Sequence, residues 1–191
     1  MAAFGEMDAA SRRFRGAFAA IVAIGVGAWA LTPIAEPEGR AFILLGFARI
    51  VVFFALWAVA SLAAGEQSKL MTTGLYLAFV GALANALGAI GAVVTDGLEY
   101  NPFETAANVE PPWYAYVIGL SAFVFALGAL LVGIAAWRAG VKRAGLAAIL
   151  GGAIYPVAFI AVGHAIWALP WLALGVLVYM DSRDAGPAIG G

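Results

Sequence analysis

The chain has 191 residues, of which 64% are hydrophobic and 11% are charged, and its formal net charge is −1. Soluble domains are about half apolar and about one quarter charged, so a soluble fold of this length would leave much apolar surface in water. The absence of cysteine and the single histidine exclude disulfides, thiolate chemistry and a His-rich metal site. No basic run suits a nucleic-acid backbone. Composition therefore predicts an integral membrane protein that uses the lipid bilayer as solvent, with no metal, cofactor or nucleic-acid partner.

Apolar stretches of about 20 residues, long enough to cross a bilayer, recur along the chain. Four are bounded by charged residues. The stretch 144–180 lacks Asp, Glu, Lys and Arg, and its length suits two spans with a hairpin at Gly163 and His164; without that hairpin the count is five. The expected fold is an all-α bundle of six transmembrane helices, at about 16–35, 41–65, 72–95, 113–137, 144–162 and 165–180, between tails 1–15 and 181–191.

The flanking charges predict the orientation of these spans. Basic residues cluster in both tails and in the second and fourth loops, whereas the other side of the membrane carries Arg40 and most of the acids. By the positive-inside rule, both termini are cytoplasmic in a multi-pass protein of the cell membrane. We expect the first span to be an uncleaved helix rather than a signal peptide, because its apolar stretch continues past Ala30 and five spans follow.

The loop 97–112 is the longest one expected outside the membrane. Its segment Asn101-Pro102-Phe103-Glu104 places a capping residue, a proline at the first helical position and a glutamate at the third. We expect a short helix on the outer face, ending before Pro111 and Pro112.

Small residues recur on two of the predicted helices. Gly74, Gly81 and Gly88 are seven residues apart in the third span, and the first span has a similar stripe, formed by Gly16, Ala20, Ala23 and Gly27. In lipid, helices associate through such close-packing faces, so these residues are predicted to form helix-packing seams.

Four polar residues from different spans lie at one predicted depth, roughly 12 to 16 Å below the outer boundary at 1.5 Å per residue. They are Arg49, Asn85, Ser121 and Tyr155. A charged side chain at this depth requires a partner or a path to water. These four are therefore the candidate ligand-binding residues; the alternatives are that Arg49 extends to the outer interface and that Asn85 forms a helix–helix hydrogen bond.

Two functional hypotheses follow from these features. The first is a non-enzymatic structural or accessory subunit that packs through small-residue faces against other membrane subunits or its own copies. The second is a binding or transport-associated protein whose outward-facing pocket takes a small polar or anionic solute. In length, span number and orientation the chain is similar to the substrate-binding components of energy-coupling-factor transporters, and that resemblance implies a bound solute and a small-residue coupling face on the first helix.

A third hypothesis is an intramembrane serine hydrolase. Gly119-Leu120-Ser121 in the fourth span and His164 near the sixth resemble rhomboid proteases, which implies Ser121 as nucleophile and His164 as base. The chain departs from that pattern, since Ala122 stands where glycine is expected and the first outer loop is short. We therefore assign no catalytic residue from the sequence.

The charge distribution yields a topology prediction. Gly5→Cys and Ala188→Cys, each introduced into this cysteine-free chain, should resist an impermeant thiol reagent in intact cells because both tails are predicted to be cytoplasmic. Ala107→Cys, in the outer loop, should be labelled and serves as the positive control. Labelling at position 5 or 188 without permeabilisation would overturn the six-span topology.

Overall fold

A computed structural model of the chain describes residues 39–63, 68–95, 112–161 and 164–184, together with residues 14, 17, 18 and 21. Every regular element within these residues is an α-helix, which confirms the all-α prediction for them. The outer-loop helix expected within 97–112 lies outside the described residues, as does the first predicted span except for helical residues 17, 18 and 21.

Five helices follow one another along the described chain. They are α1 (Gly39–Leu62), α2 (Lys69–Val94), α3 (Trp113–Arg138), α4 (Lys142–Ala161) and α5 (His164–Asp184). The uncharged stretch 144–180 is thus divided between two helices, on either side of residues 162 and 163. Within the described residues, two helical segments are long and apolar enough to cross a membrane, Lys69–Ala92 in α2 and Trp113–Arg138 in α3.

A polar contact links the end of α5 to the start of α4, and both helices extend beyond the predicted spans at these ends. Helix α5 continues to Asp184, into the predicted tail 181–191, and α4 begins at Lys142 rather than at 144. The carboxylate of Asp181 accepts a hydrogen bond from the backbone N–H of Ala144 at 3.0 Å. A carboxylate at a helix N-terminus satisfies amides that have no partner inside the helix, so this contact stabilises the start of α4 and holds the end of α5 in helical form.

The short connection between α3 and α4 is a Schellman turn. Gly140 has a φ of 91°, a conformation that glycine adopts without steric cost. Its N–H donates to Trp137 O at 3.2 Å, and Val141 N–H donates to Ala136 O at 3.0 Å. This pattern satisfies the last carbonyls of α3 and reverses the chain within a few residues.

The packing of α2 against α3 depends on glycine. A Cβ atom added to Gly81 would lie 2.5 Å from the backbone nitrogen of Phe125, and one added to Gly74 would lie 2.8 Å from that of Val132. One added to Gly88 would lie 2.8 Å from the side chain of Ile118. Each step of seven residues along α2 is therefore matched by seven residues back along α3, and the two helices form an antiparallel pair in close backbone contact.

A second glycine seam joins α3 to α4. A Cβ atom on Gly133 would lie 2.7 Å from the carbonyl oxygen of Gly145, and one on Gly152 would lie 2.6 Å from that of Ala126. Helix α3 is thus in close contact with a neighbour on two sides and forms the centre of the described bundle.

The outer helices of the described bundle close around this centre. Helix α1 packs on α2 and also contacts α3, α4 and α5. From α5, the buried ring of Trp171 lies 6.0 Å from that of Phe125 in α3 and covers Gly151 of α4. An aromatic side chain of this size fills the space that the glycine leaves, so α5 is anchored to both of its neighbours.

Alanine dominates the core of this bundle, around a few large side chains such as Trp171 and Phe125, and many large apolar residues lie outside. The buried core is rich in alanine, including Ala78, Ala89 and Ala129, which are fully buried. The outer faces carry Tyr76 (68% exposed) and Leu120 (70% exposed), with other large apolar residues at helical spacing. A soluble bundle has the opposite distribution, with its large apolar side chains in the core.

The glycine seam predicts that the effect of an added methyl group on stability depends strongly on its position. Gly81→Ala should lower the free energy of unfolding by about 1–3 kcal/mol, because its Cβ meets backbone atoms of α3 that have little room to move. The matched control is Gly119→Ala, where a Cβ meets nothing within 4 Å; it should be neutral or stabilising by about 0.5–1 kcal/mol. Leu83→Ala, on the outer face, should have little effect. Equal unfolding midpoints in detergent for all three variants would contradict the seam.

Candidate polar site in the helix bundle

Two of the four predicted site residues are bonded to each other across the α2–α3 seam. The side-chain Nδ2 of Asn85 donates to Ser121 Oγ at 2.9 Å and to the backbone carbonyl of Ile118, also at 2.9 Å. Ser121 Oγ in turn donates to the same Ile118 carbonyl at 3.0 Å. Asn85 is fully buried and Ser121 nearly so, which gives these bonds a low-dielectric surrounding.

The glycines of α2 bring the asparagine within reach of α3. Gly81 lies one helical turn before Asn85 and Gly88 lies three residues after it, so both are on the same face. Since neither has a side chain, the two backbones approach closely on each side of the amide, and Asn85 can reach a carbonyl of the neighbouring helix. The helix–helix hydrogen bond considered for Asn85 is thus present in the structure.

Arg49 lies inside the bundle and not on its outer surface. Its side chain is 4% exposed. It continues a buried stripe of α1 at intervals of three and four residues, formed by Val52, Leu56 and Val59. Because this face of α1 packs on the other helices, the guanidinium is enclosed by protein.

The level of Arg49 in the bundle follows from an aromatic contact between α1 and α2. The rings of Phe53 and Phe79 lie 5.4 Å apart. Arg49 precedes Phe53 by one turn and Asn85 follows Phe79 by six residues, in helices that run in opposite directions. At 1.5 Å per residue both are displaced toward the same end, so their backbones lie within about 3 Å of one level.

Tyr155 and His164 are placed by their backbones. Tyr155 is in α4, three residues after Gly152, which packs against Ala126 and Leu130 of α3. Its backbone is therefore near the level of Ser121, within about two turns. His164 is the first residue of α5. The side chains of both residues lie outside the described part of the structure, and so do any contacts that they make with Arg49 or Ser121.

The hydrogen bonds of Asn85 and Ser121 determine which of their polar groups could still react or bind a ligand. Asn85 uses both of its amide protons, and the proton of Ser121 is directed to a backbone carbonyl. A nucleophilic serine needs that proton directed to a base. The buried Oδ1 of Asn85 accepts no hydrogen bond from the described residues, so it is an acceptor that a bound donor could address.

Sequence reasoning missed several residues that organise the bundle. Asp181, which follows the last predicted span, caps the neighbouring helix α4. Gly145 and Gly152 are seven residues apart, the spacing already noted in α2, and this spacing could have revealed the α3–α4 seam. Ser61 and Ser182 are buried, and each donates to a carbonyl of its own helix, a local bond available to serine in any helix.

No group of three His, Asp or Glu side chains suited to a metal ion occurs among the described residues. Neither a protein-family model, a curated protein nor a solved structure matches the chain.

The polar contact between α2 and α3 can be measured with a double-mutant cycle. Asn85→Ala, Ser121→Ala and the double variant should show a coupling free energy of about 0.6 kcal/mol, and at most about 1.7 kcal/mol, as found for hydrogen bonds between membrane helices. Unfolding in mixed micelles provides the measurement. The control cycle pairs Asn85 with Ser182, whose hydroxyl is bonded within α5, and should give no coupling. Similar values for both cycles would contradict the bond.

Proposed function

We propose that the chain is a six-span membrane protein that acts as a non-catalytic subunit of a membrane assembly. In this proposal the described helices form its rigid scaffold and the first predicted span provides the partner-binding face. The observation that carries the membrane assignment is an alanine-rich core combined with many large apolar residues on the exposed faces.

That distribution is the one expected of helices surrounded by lipid. Between membrane helices no hydrophobic driving force exists, so close packing of small residues holds them together and bulky apolar side chains face the acyl chains. On α2, the exposed residues Leu83, Leu87 and Ile90 recur at helical spacing. On α3, Tyr116, Phe123 and Leu127 do the same. In water, such continuous apolar surfaces would cause aggregation.

The charges support the proposed orientation. Apart from Arg49, the cations whose side chains are described occur at the α1–α2 and α3–α4 connections and at the end of α5, which is one end of the bundle; they are Lys69, Arg138, Lys142, Arg143 and Arg183. An end of the bundle with this excess of cations is the cytoplasmic one under the positive-inside rule. With the first span added, both termini are at that end.

The contacts that the polar and small residues make within the chain support a structural role. Asn85 and Ser121 are bonded to each other, and the glycine faces of α2, α3 and α4 are occupied within the chain. For a partner we propose the predicted stripe Gly16, Ala20, Ala23 and Gly27, which lies outside the described residues.

The experiment that tests this role is purification of the tagged chain from its native membranes in mild detergent, followed by native mass determination. We expect a complex of fixed stoichiometry, with another membrane protein or with further copies of the chain. Ala20→Leu should dissociate it without lowering the unfolding temperature, because a bulky group prevents close helix contact. Phe18→Leu, on the opposite face, is the control and should leave the complex intact. A monomer in every mild detergent and in nanodiscs would overturn the accessory-subunit role.

One observation favours solute binding as a second candidate. Arg49 is buried at the level of Asn85, and a guanidinium can hold a carboxylate through two parallel hydrogen bonds. If the site binds an anion, acetate or inorganic phosphate should raise the unfolding temperature of the wild type and not that of Arg49→Ala. A structural Arg49 predicts instead that Arg49→Ala lowers stability equally with and without these anions.

A further inference from the structure

We propose that the charged end of the bundle, at the α3–α4 turn and the end of α5, binds the headgroups of anionic phospholipids. This surface consists of Arg138, Lys142, Arg143 and Arg183 and is called the basic rim below. The inference rests on the proposed membrane location and adds a specific lipid partner to it.

The fold brings the members of the basic rim together. Arg138 ends α3, and the Schellman turn at Gly140 places Lys142 and Arg143 in the first turn of α4. The hydrogen bond from Ala144 N–H to Asp181 Oδ2 joins the end of α5 to this turn, and Arg183 is two residues further along. All four cations are exposed, and they lie at the same end of the described bundle.

The described cations of the rim outnumber the described acids at this end. Asp181 is the one acid here whose side chain is described, and it stands against four cations, so these residues together carry a net positive charge. The guanidinium of Arg183 lies 5.7 Å from the centre of the Tyr179 ring. A cation–π contact orients that cation without cancelling its charge.

The apolar surface next to the rim identifies the partner as a lipid. Exposed apolar side chains precede the cations by one turn or less: Trp137 before Arg138, and Tyr179 and Met180 before Arg183. On α4, exposed Leu146 follows Arg143 by three residues. Tryptophan and tyrosine favour the headgroup level of a bilayer. Cations at its edge meet lipid phosphates, and each contributes to attraction by an anionic surface. A soluble anion would require no such apolar border.

The test is native mass spectrometry of the full chain in detergent, titrated with phosphatidylglycerol or with phosphatidylcholine. We expect tighter binding of phosphatidylglycerol, weakened by added salt. Lys142→Gln and Arg183→Gln should each weaken it about fivefold, and the double variant roughly twentyfold. Arg40→Gln removes one charge at the opposite end and is the matched control, with unchanged lipid affinity. Unfolding in phosphatidylcholine nanodiscs checks that each variant retains the wild-type fold.

Several results would overturn the proposal. Equal affinity for the two lipids, or an equal loss in Arg40→Gln, would remove the basic rim as a lipid site while leaving the six-span proposal in place. Displacement of phosphatidylglycerol by inorganic phosphate at similar concentration would identify a site for free anions instead. A chain that stays soluble and monomeric without detergent would overturn the membrane location and, with it, the lipid site.

Discussion

The close approach of the α2 and α3 backbones is the contact on which the rest of the described bundle depends. At Gly81 the backbone of Phe125 occupies the space where a Cβ would be, and a Cβ on Gly128 would meet the backbone nitrogen of Ala78. Two helices this close gain dispersion energy from backbone and small side-chain atoms along several turns. They also lose the freedom to slide, because each glycine fits one position of the partner.

The other features of the bundle follow from this fixed pair. The register brings Asn85 opposite Ile118 and Ser121, so a buried amide finds its acceptors without leaving the seam. Helix α3 repeats the same packing on its other side with α4, through Gly133 and Gly152. The core is then so thin that one large side chain, Trp171, spans from α5 to α3. Many other large apolar residues lie on the outer faces.

The helical class and part of the packing could be predicted from the sequence. Both are features for which a single physical rule decides the outcome. Apolar length predicted an all-α chain, and every regular element of the described residues is a helix. The heptad of Gly74, Gly81 and Gly88 indicated a seam. The partner of that seam could not be read, because any of several helices could have supplied it. The common level of Asn85 and Ser121 was predictable from helical rise, whereas their contact depends on the rotation of both helices. The Asp181 cap depends on an approach between residues 37 apart, which local patterns do not encode.

That cap also orders the events of biosynthesis. The amide of Ala144 is made early, and the carboxylate that accepts its hydrogen bond emerges from the ribosome only after all of α4 and most of α5. Until then the Ala144 amide lacks this acceptor and must be satisfied by water or by another group, because the first amides of a helix have no partner inside it. The capped start of α4 is thus completed only when α5 is nearly complete. A ribosome stalled before residue 181 would present an α4 whose first turn is not yet capped by Asp181.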